Sequence, residues 1–376
     1  MNTIETKPAY KRLKHTLLEQ IRSKKLAPGE QLPSLREIAE AAGTSIMPVR
    51  QAVEELENEG LIVRYHGKGT FVNSKHKHHT QDGVREIALV IPGIDENPLF
   101  ARQARCIHEQ CIERGYRQVV LSADDYRLET DIIEGLLSMN ISGAVIYQPE
   151  IPEVAVALRK LQEQGLPFVL QNYWQLPSIV APRCSTDDFE VGYLTAKHLL
   201  ELGHRQIGLL VSDSKYETVD PRYHGYLKAF IEYGLSPRQS LVKYPQSILH
   251  KPAFIVEWSE GATQKLLLEH PEITAFISMA GRHSTLGVCK AVLKTQRRIP
   301  QDISIVCVGL YGSYLMSTLD TPKITSVNLH EDIVAKKALD MVIKHIEEGP
   351  QVITHQLVPP TFVPGESTAP VRYKKS

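Results

Sequence analysis

The chain has 376 residues, 42% hydrophobic and 23% charged, with 43 basic and 43 acidic side chains. That length suits two or three domains, and the composition is that of a soluble globular protein rather than a disordered or fibrous one. No run approaches the ~20 apolar residues that cross a bilayer, and the polar start MNTIETKPAYKRLKH has no apolar signal core. The sequence therefore points to a cytoplasmic protein with no membrane partner. Cys106, Cys111, Cys184, Cys289 and Cys307 are odd in number and lack metal-site spacing. They read as reduced thiols.

Charge is unevenly placed. Residues 1–80 hold 13 Lys and Arg against 9 Glu and no Asp, a net of +4, which leaves −4 on the rest. A basic module joined to a near-neutral one fits that split.

The basic module opens with a helix whose Tyr10, Leu13, Leu17 and Ile21 share one stripe, ended by Pro28-Gly29. A second helix starts in PSLREIAEAAG, with Ser34 and Glu37 spaced as a capping box and Gly43 as its stop. The third, in GTSIMPVRQAVEELENEG, carries Val49, Val53 and Leu56 on one stripe, with Pro48 in the first turn and Arg50 beyond it. Either Ser45 or Met47 can cap it. LIVRYHGKGTFV then alternates Leu61, Val63 and Tyr65, turns at 66–69 and returns through Phe71 and Val72, a β-hairpin with a basic tip. Three helices with a tight turn before the third, followed by a hairpin, make a winged helix-turn-helix, whose third helix enters the DNA major groove.

Residues 8–72 resemble the DNA-binding domain of GntR-family bacterial transcription regulators. The resemblance is carried by the G..LPS.RE.A run, the VR.A...L..EGL run and the GKGTFV wing. It implies DNA contacts at Arg36, Ser45 and Arg50, and in the wing at His66, Gly67, Lys68, Gly69 and Thr70. Where such domains commonly carry an arginine and threonines, this chain has Ile46, Met47 and Pro48, so base reading there is apolar, against a thymine methyl.

Residues 73–85 are polar and aperiodic and read as a linker. His76, His78 and His79 lie in it, and nothing positions them to hold a metal. The domains expected are thus 1–72 for the head, 73–85 for the linker and 86–376 for the body.

Within the body, short apolar runs recur between helical stretches: EIALVI, QVVLSA, GAVIYQ, PFVLQN, QIGLLV, TAFISM and ISIVCVG. Continuous apolar strands alternating with helices imply parallel sheets covered on both faces, an α/β class. REIALV at 85 matches RQIGLL at 205, and CIERG at 111 matches FIEYG at 230. That repeat implies two lobes built alike with a cleft between them.

Three segments, 185–210, 222–235 and 297–310, resemble the effector-binding domain of the LacI family, which is similar to periplasmic sugar-binding proteins; LGHRQIG is the most specific stretch. A GntR-type head on such a body resembles the arabinose repressor subgroup. The resemblance implies a ligand between the lobes and chain crossings near 185, 310 and 328. Candidate contacts are Phe100, Asp124, Gln148, Asn172, Arg222, Arg282 and Tyr311. Asp187 and Asp188, just before a helix, read as caps. His198 and His204 read as surface or packing residues. Two arginines facing the cleft favour an acidic sugar derivative over a neutral sugar.

No dinucleotide fingerprint, phosphate loop, nucleophile elbow or metal-ligand cluster is present in the sequence, so no cofactor, metal or catalytic residue is expected. An exported sugar carrier needs a signal and no winged head. The reading is a ligand-responsive repressor of carbohydrate genes, a homodimer on an inverted-repeat operator. The alternative is a regulator whose cleft has lost its ligand.

Overall fold

The computed structural model describes residues 9–22, 26, 29–58, 61–65, 69–72, 85–93, 98–123, 126–147, 152–171, 179–211, 220–245, 252–309 and 321–371. The chain forms two compact units, Met1–Glu86 and Ile87–Ser376.

The first unit holds α1 (Ala9–Arg22), α2 (Leu35–Ala41), α3 (Ile46–Asn58), β1 (Ile62–Tyr65) and β2 (Gly69–Val72). Ser34 caps α2: its hydroxyl accepts from the Glu37 amide at 3.3 Å while the Glu37 carboxylate accepts from the Ser34 amide at 2.7 Å. Gly43, at φ +60, then turns the chain into α3. Val49, Ala52, Val53 and Leu56 of α3 are buried against Leu17, Leu32, Ile38, Ile62 and Val72. The Lys14 ammonium and the Glu55 carboxylate, 2.8 Å apart, join α1 to α3.

The antiparallel hairpin pairs Ile62 with Val72 and Tyr65 with Gly69. Its core-facing residues are Ile62 and Val72, not the Leu61-Val63-Tyr65 alternation. Tyr65 is 55% exposed and packs its ring edge against Phe71 at 5.7 Å. Both faces of the ribbon carry apolar residues, so docking on the helices decides which face turns inward. The Leu32 amide donates to the Thr70 carbonyl at 2.8 Å, tying the wing to the segment before α2.

The second unit is built in chain order from β3 (Arg85–Pro92), α4 (Pro98–Glu113), β4 (Tyr116–Ala123), α5 (Tyr126–Gly135), β5 (Gly143–Ile146), α6 (Pro152–Glu163), β6 (Phe168–Leu170) and β7 (Arg183–Thr186). It continues with α7 (Asp188–Glu201), β8 (Ile207–Leu210), α8 (Pro221–Glu232), β9 (Val242–Lys243), α9 (Pro252–Glu269), β10 (Ala275–Ser278), α10 (Gly281–Lys294) and β11 (Ser304–Val308). It ends with β12 (Thr325–Asn328), α11 (Glu331–Glu348), β13 (His355–Val358) and β14 (Thr361–Val363).

Two six-stranded sheets result, ordered β13-β7-β6-β5-β3-β4 in lobe 1 and β14-β12-β11-β10-β8-β9 in lobe 2. In lobe 2, β8–β12 pair in parallel and only β14 runs antiparallel. Continuous apolar strands follow from coverage on both faces. In β3, Ile87, Leu89 and Ile91 join one core with Phe100 and Ile107, while Ala88 and Val90 join the other with Ile133 and Leu158. β10 splits likewise, Ala275 and Ile277 against Phe276. The repeated REIALV and RQIGLL segments supply β3 and β8, each one place in from the edge of its sheet.

Among the described residues the chain passes between lobes three times: at Asp187 after β7, at Leu329-His330 after β12, and at Pro359-Pro360 after β13. The crossing expected near 310 is not made there, because β11 and β12 are neighbours in one sheet. The three passages are bonded to one another. The Thr186 hydroxyl donates to the Leu329 carbonyl at 2.6 Å, the Asp187 amide donates to the Val358 carbonyl at 2.9 Å, and His330 Nε2 lies 2.8 Å from Thr361 Oγ1.

Gly192 of α7 and Gly225 of α8 bring these helices into backbone contact. A Cβ at Gly192 would overlap the Arg222 carbonyl, and one at Gly225 the Phe189 carbonyl. Gly192→Ala is expected to destabilise the protein by about 1–3 kcal/mol. Gly261→Ala, in α9 with open space around it, should instead stabilise by up to ~1 kcal/mol through helix propensity. Thermal unfolding of both variants checks the contrast.

His204 is buried between Thr274 Oγ1 (2.8 Å) and the Ala369 carbonyl (3.0 Å), so of the two readings it is a packing residue. Burial pushes its pKa down to about 4. An unfolded histidine takes up a proton near pH 6.5, whereas the folded one resists until about pH 4. Its contribution is therefore complete above pH 6.5 and is lost as pH falls toward 4. The melting temperature of the native protein should fall more steeply over that range than that of His204→Gln, as read by calorimetric scans.

Candidate DNA-binding face and ligand cleft

With one side of α3 buried, the other presents Ile46, Met47, Arg50, Gln51 and Glu54 to solvent. The helix begins at Ile46. Of the two caps left open by the sequence, Met47 is excluded because it lies inside the first turn, and Ser45 stands at the helix start. Pro48 is tolerated there because amides of the first turn have no intrahelical acceptor. Tyr10 of α1 joins Met47, Pro48, Arg50, Gln51 and Glu54 around a shallow depression. Arg36 is exposed in the first turn of α2, and Gly69 and Thr70 are half-buried at the start of β2. His66, Gly67 and Lys68 lie outside the described residues. Gln51 joins this face because it stands at i, i+4 from Met47 on the solvent side of the helix.

In lobe 2 the elements at the C-terminal edge of the sheet converge on Arg222. Asp220 caps α8, accepting the Arg222 amide at 2.9 Å. The Arg222 side chain turns back to α7: Nε donates to Asp188 Oδ1 at 2.5 Å and Nη1 to the Met279 carbonyl at 3.2 Å. The close α7–α8 approach at Gly192 permits this reach. Asp188 is not a cap. Asp187 has that role, accepting the Glu190 amide at 3.2 Å, while Asp188 is the first helical residue and is almost fully buried. Burial pushes the Asp188 carboxyl above its ordinary range, and the Arg222 charge and hydrogen bond pull it back. Burial raises Asp220 as well.

Arg282 sits in the first turn of α10, half-buried. Burial lowers its pKa, and the carboxylate of Glu331, at the start of α11, opposes that shift. Both arginines thus have a protein carboxylate as neighbour.

In lobe 1, Phe100 is only 7% exposed and its ring packs edge-on against Tyr147 at 5.1 Å. Most of the ring is committed to the lobe's core rather than offered as a stacking face. Asp124, Gln148, Asn172 and Tyr311 lie outside the described residues, as does Trp174. The structure instead draws attention to amides that sequence reasoning missed. Gln103, in the second turn of α4, is 1% exposed with neither side-chain atom hydrogen-bonded. Gln171, directly after β6, leaves its buried Oε1 without a partner, as Ser284 in α10 leaves its hydroxyl. Unmatched buried polar atoms are costly. Gln171 and Gln103 lie toward the strand ends where such folds take ligands, and no periodicity marks them. Among the described residues no cluster suited to a metal ion occurs.

Two family profiles match the chain: "Bacterial regulatory proteins, gntR family" over residues 9–72 and "Periplasmic binding protein-like domain" over residues 196–368. The chain joins a GntR-type DNA-binding domain to a periplasmic-binding-protein-like domain. The arabinose metabolism transcriptional repressor of Geobacillus stearothermophilus is 28% identical over 351 residues, spanning 92% of this chain and 93% of that protein. The HTH-type transcriptional repressor PurR of Pectobacterium carotovorum subsp. carotovorum is 24% identical over 352 residues, spanning 90% and 97%. Among solved structures, a LacI-family regulator from Enterococcus faecium with bound ribose has a TM-score of 0.61 at 21% identity, covering 77% of this chain and all of that one. The CelR–cellobiose complex has a TM-score of 0.64 at 18% identity, covering 89% and all of that chain. These structures establish the LacI-type fold, and the relatives are transcription regulators, not enzymes. This GntR-headed chain is accordingly a ligand-responsive transcription repressor.

The Arg222–Asp188 pair makes a specific prediction for this regulator. Asp188→Asn removes the countercharge of a largely buried guanidinium and is expected to destabilise the protein by about 3–5 kcal/mol. Adding Arg222→Met to that variant should recover part of the loss. Chemical denaturation of the two singles and the double measures the coupling, and additive losses would show that the pair is not energetically linked.

Proposed function

We propose that the protein represses carbohydrate-metabolism genes as a cytoplasmic homodimer on an inverted-repeat operator, and that a neutral sugar entering the cleft releases it. The observation carrying the DNA reading is α3 itself, buried along one side and open along the other with Arg50 and Gln51. Arg36, Ser45 and Arg50 supply contacts from the helices, and His66, Gly67, Lys68, Gly69 and Thr70 from the wing. One head reaches too few bases for useful specificity, so two must act together. Exposed Ile112 on α4 and Val120 on the edge strand β4 give lobe 1 an apolar face that favours self-association.

Charge balance supports the choice of a neutral sugar. With Asp188 beside Arg222 and Glu331 beside Arg282, an anionic ligand finds no excess of positive charge from these pairs. A polyol hydroxyl, in contrast, both donates and accepts, and suits paired arginine–aspartate edges and amides such as Gln103 and Gln171. Asp124, Gln148, Asn172 and Tyr311 remain the other proposed contacts. Closure of the lobes about the three crossings then changes how the heads are presented. Its effect is bounded by the sugar's preference for the closed form, typically ~1–3 kcal/mol.

Operator affinity should drop by ~1–3 kcal/mol in Arg50→Ala if that arginine reads a base. Calorimetry with neutral sugars and their uronate or phosphate counterparts, on the parent and on Arg222→Ala, tests the effector. Binding of a neutral sugar that is lost in Arg222→Ala is expected. Binding confined to the acids would overturn the neutral-ligand reading.

A further inference from the structure

The first turn of α3 presents an unusual surface for a helix that meets a polyanion. Met47 is 67% exposed and Ile46 is 37% exposed, side by side, with Arg50 and Gln51 one turn further on. None of the four belongs to the core that α3 builds from Val49, Ala52, Val53 and Leu56. Single exposed apolar residues need no explanation. An adjacent pair at the end of a helix whose leading residues approach base edges is different, because the partner expected there is the major groove.

That groove carries one apolar group, the 5-methyl of thymine. Guanine, adenine and cytosine edges ask for hydrogen-bonding side chains, which Met47 and Ile46 lack. Arg50 suits guanine and Gln51 suits adenine, each through two hydrogen bonds. The thioether of Met47 is unbranched and polarisable, and so adapts to a methyl at varied approach angles. Its neighbour Pro48 and the ring of Tyr10 line the same depression, which limits the water that contact has to displace.

We propose that Met47, with Ile46 beside it, reads thymine methyl groups in each operator half-site and is a specificity determinant of this protein. The inference rests on the DNA-binding reading above. It makes specificity at those positions depend on a methyl group, with no hydrogen bond to the base.

The test uses the full chain. Duplexes bound by the protein are selected from a random library, and each thymine of the enriched half-site is then replaced in turn by deoxyuridine, which deletes only the methyl. Dissociation constants are measured at one salt concentration for the parent, Met47→Ala, Ile46→Ala and Arg50→Ala. At one or two positions uracil should weaken the parent about fourfold, the factor carried by burying one methyl. Met47→Ala or Ile46→Ala should bind the thymine and uracil forms of those sites alike. Because both side chains are exposed, neither variant threatens the fold. A parent indifferent to uracil at every position, in a site whose binding still needs Arg50, overturns the inference and leaves the DNA-binding reading standing. A library from which nothing is enriched overturns both.

Discussion

The body depends on its hinge. Three strands of chain run between the lobes, and each is hydrogen-bonded to another: Thr186 to Leu329, Asp187 to Val358, His330 to Thr361. Three bonded crossings restrain twisting and sliding of the lobes more than a single covalent link would. His330 holds a left-handed backbone at φ 50 within this bundle. A residue in that region is sparsely populated and is tolerated where surrounding contacts over-determine it. Its amide donates to the Asn328 side chain within the second crossing, and its ring meets the Thr361 hydroxyl of the third.

What the hinge presents to the cleft is decided by helix packing in lobe 2. Because Gly192 and Gly225 have no side chains, α7 and α8 meet at their backbones, and Arg222 reaches both Asp188 and the carbonyl after β10. One guanidinium therefore joins two helix starts and a strand end. Its charge is matched inside the protein by Asp188. The C-terminal segment plays a comparable part on the same lobe. Ser367 bridges Thr325 and Ile305, and Ala369 bonds both Ser304 and His204.

Local signals were legible in the chain wherever interactions close within a few residues. The capping box at Ser34 and Glu37 and the turn at Gly43 could be read directly, as could the inner stripe of α3 and the apolar strands buried on both faces. The internal repeat marked two similar lobes through β3 and β8. Less legible were the short strands β7, β9, β12, β13 and β14, whose polar residues break the apolar pattern. The LacI-type resemblance implied a crossing near 310, but sheet pairing keeps β11 and β12 as neighbours in one lobe. Asp188 looked like a cap because capping is a local role. Its true partner lies 34 residues away.

The sequence by itself determined the winged head, the α/β class of the body and the family to which each part is similar. Helix caps, turn glycines and hydrophobic period are short-range physics, and the motif spacings follow from them. Only the tertiary structure decided which strands share a sheet, where the chain changes lobes, which face of the hairpin turns inward and how Arg222 is neutralised. Those outcomes depend on docking between segments distant in sequence, where close approach at a glycine or burial of a carboxylate selects the partner, and no local pattern encodes that selection.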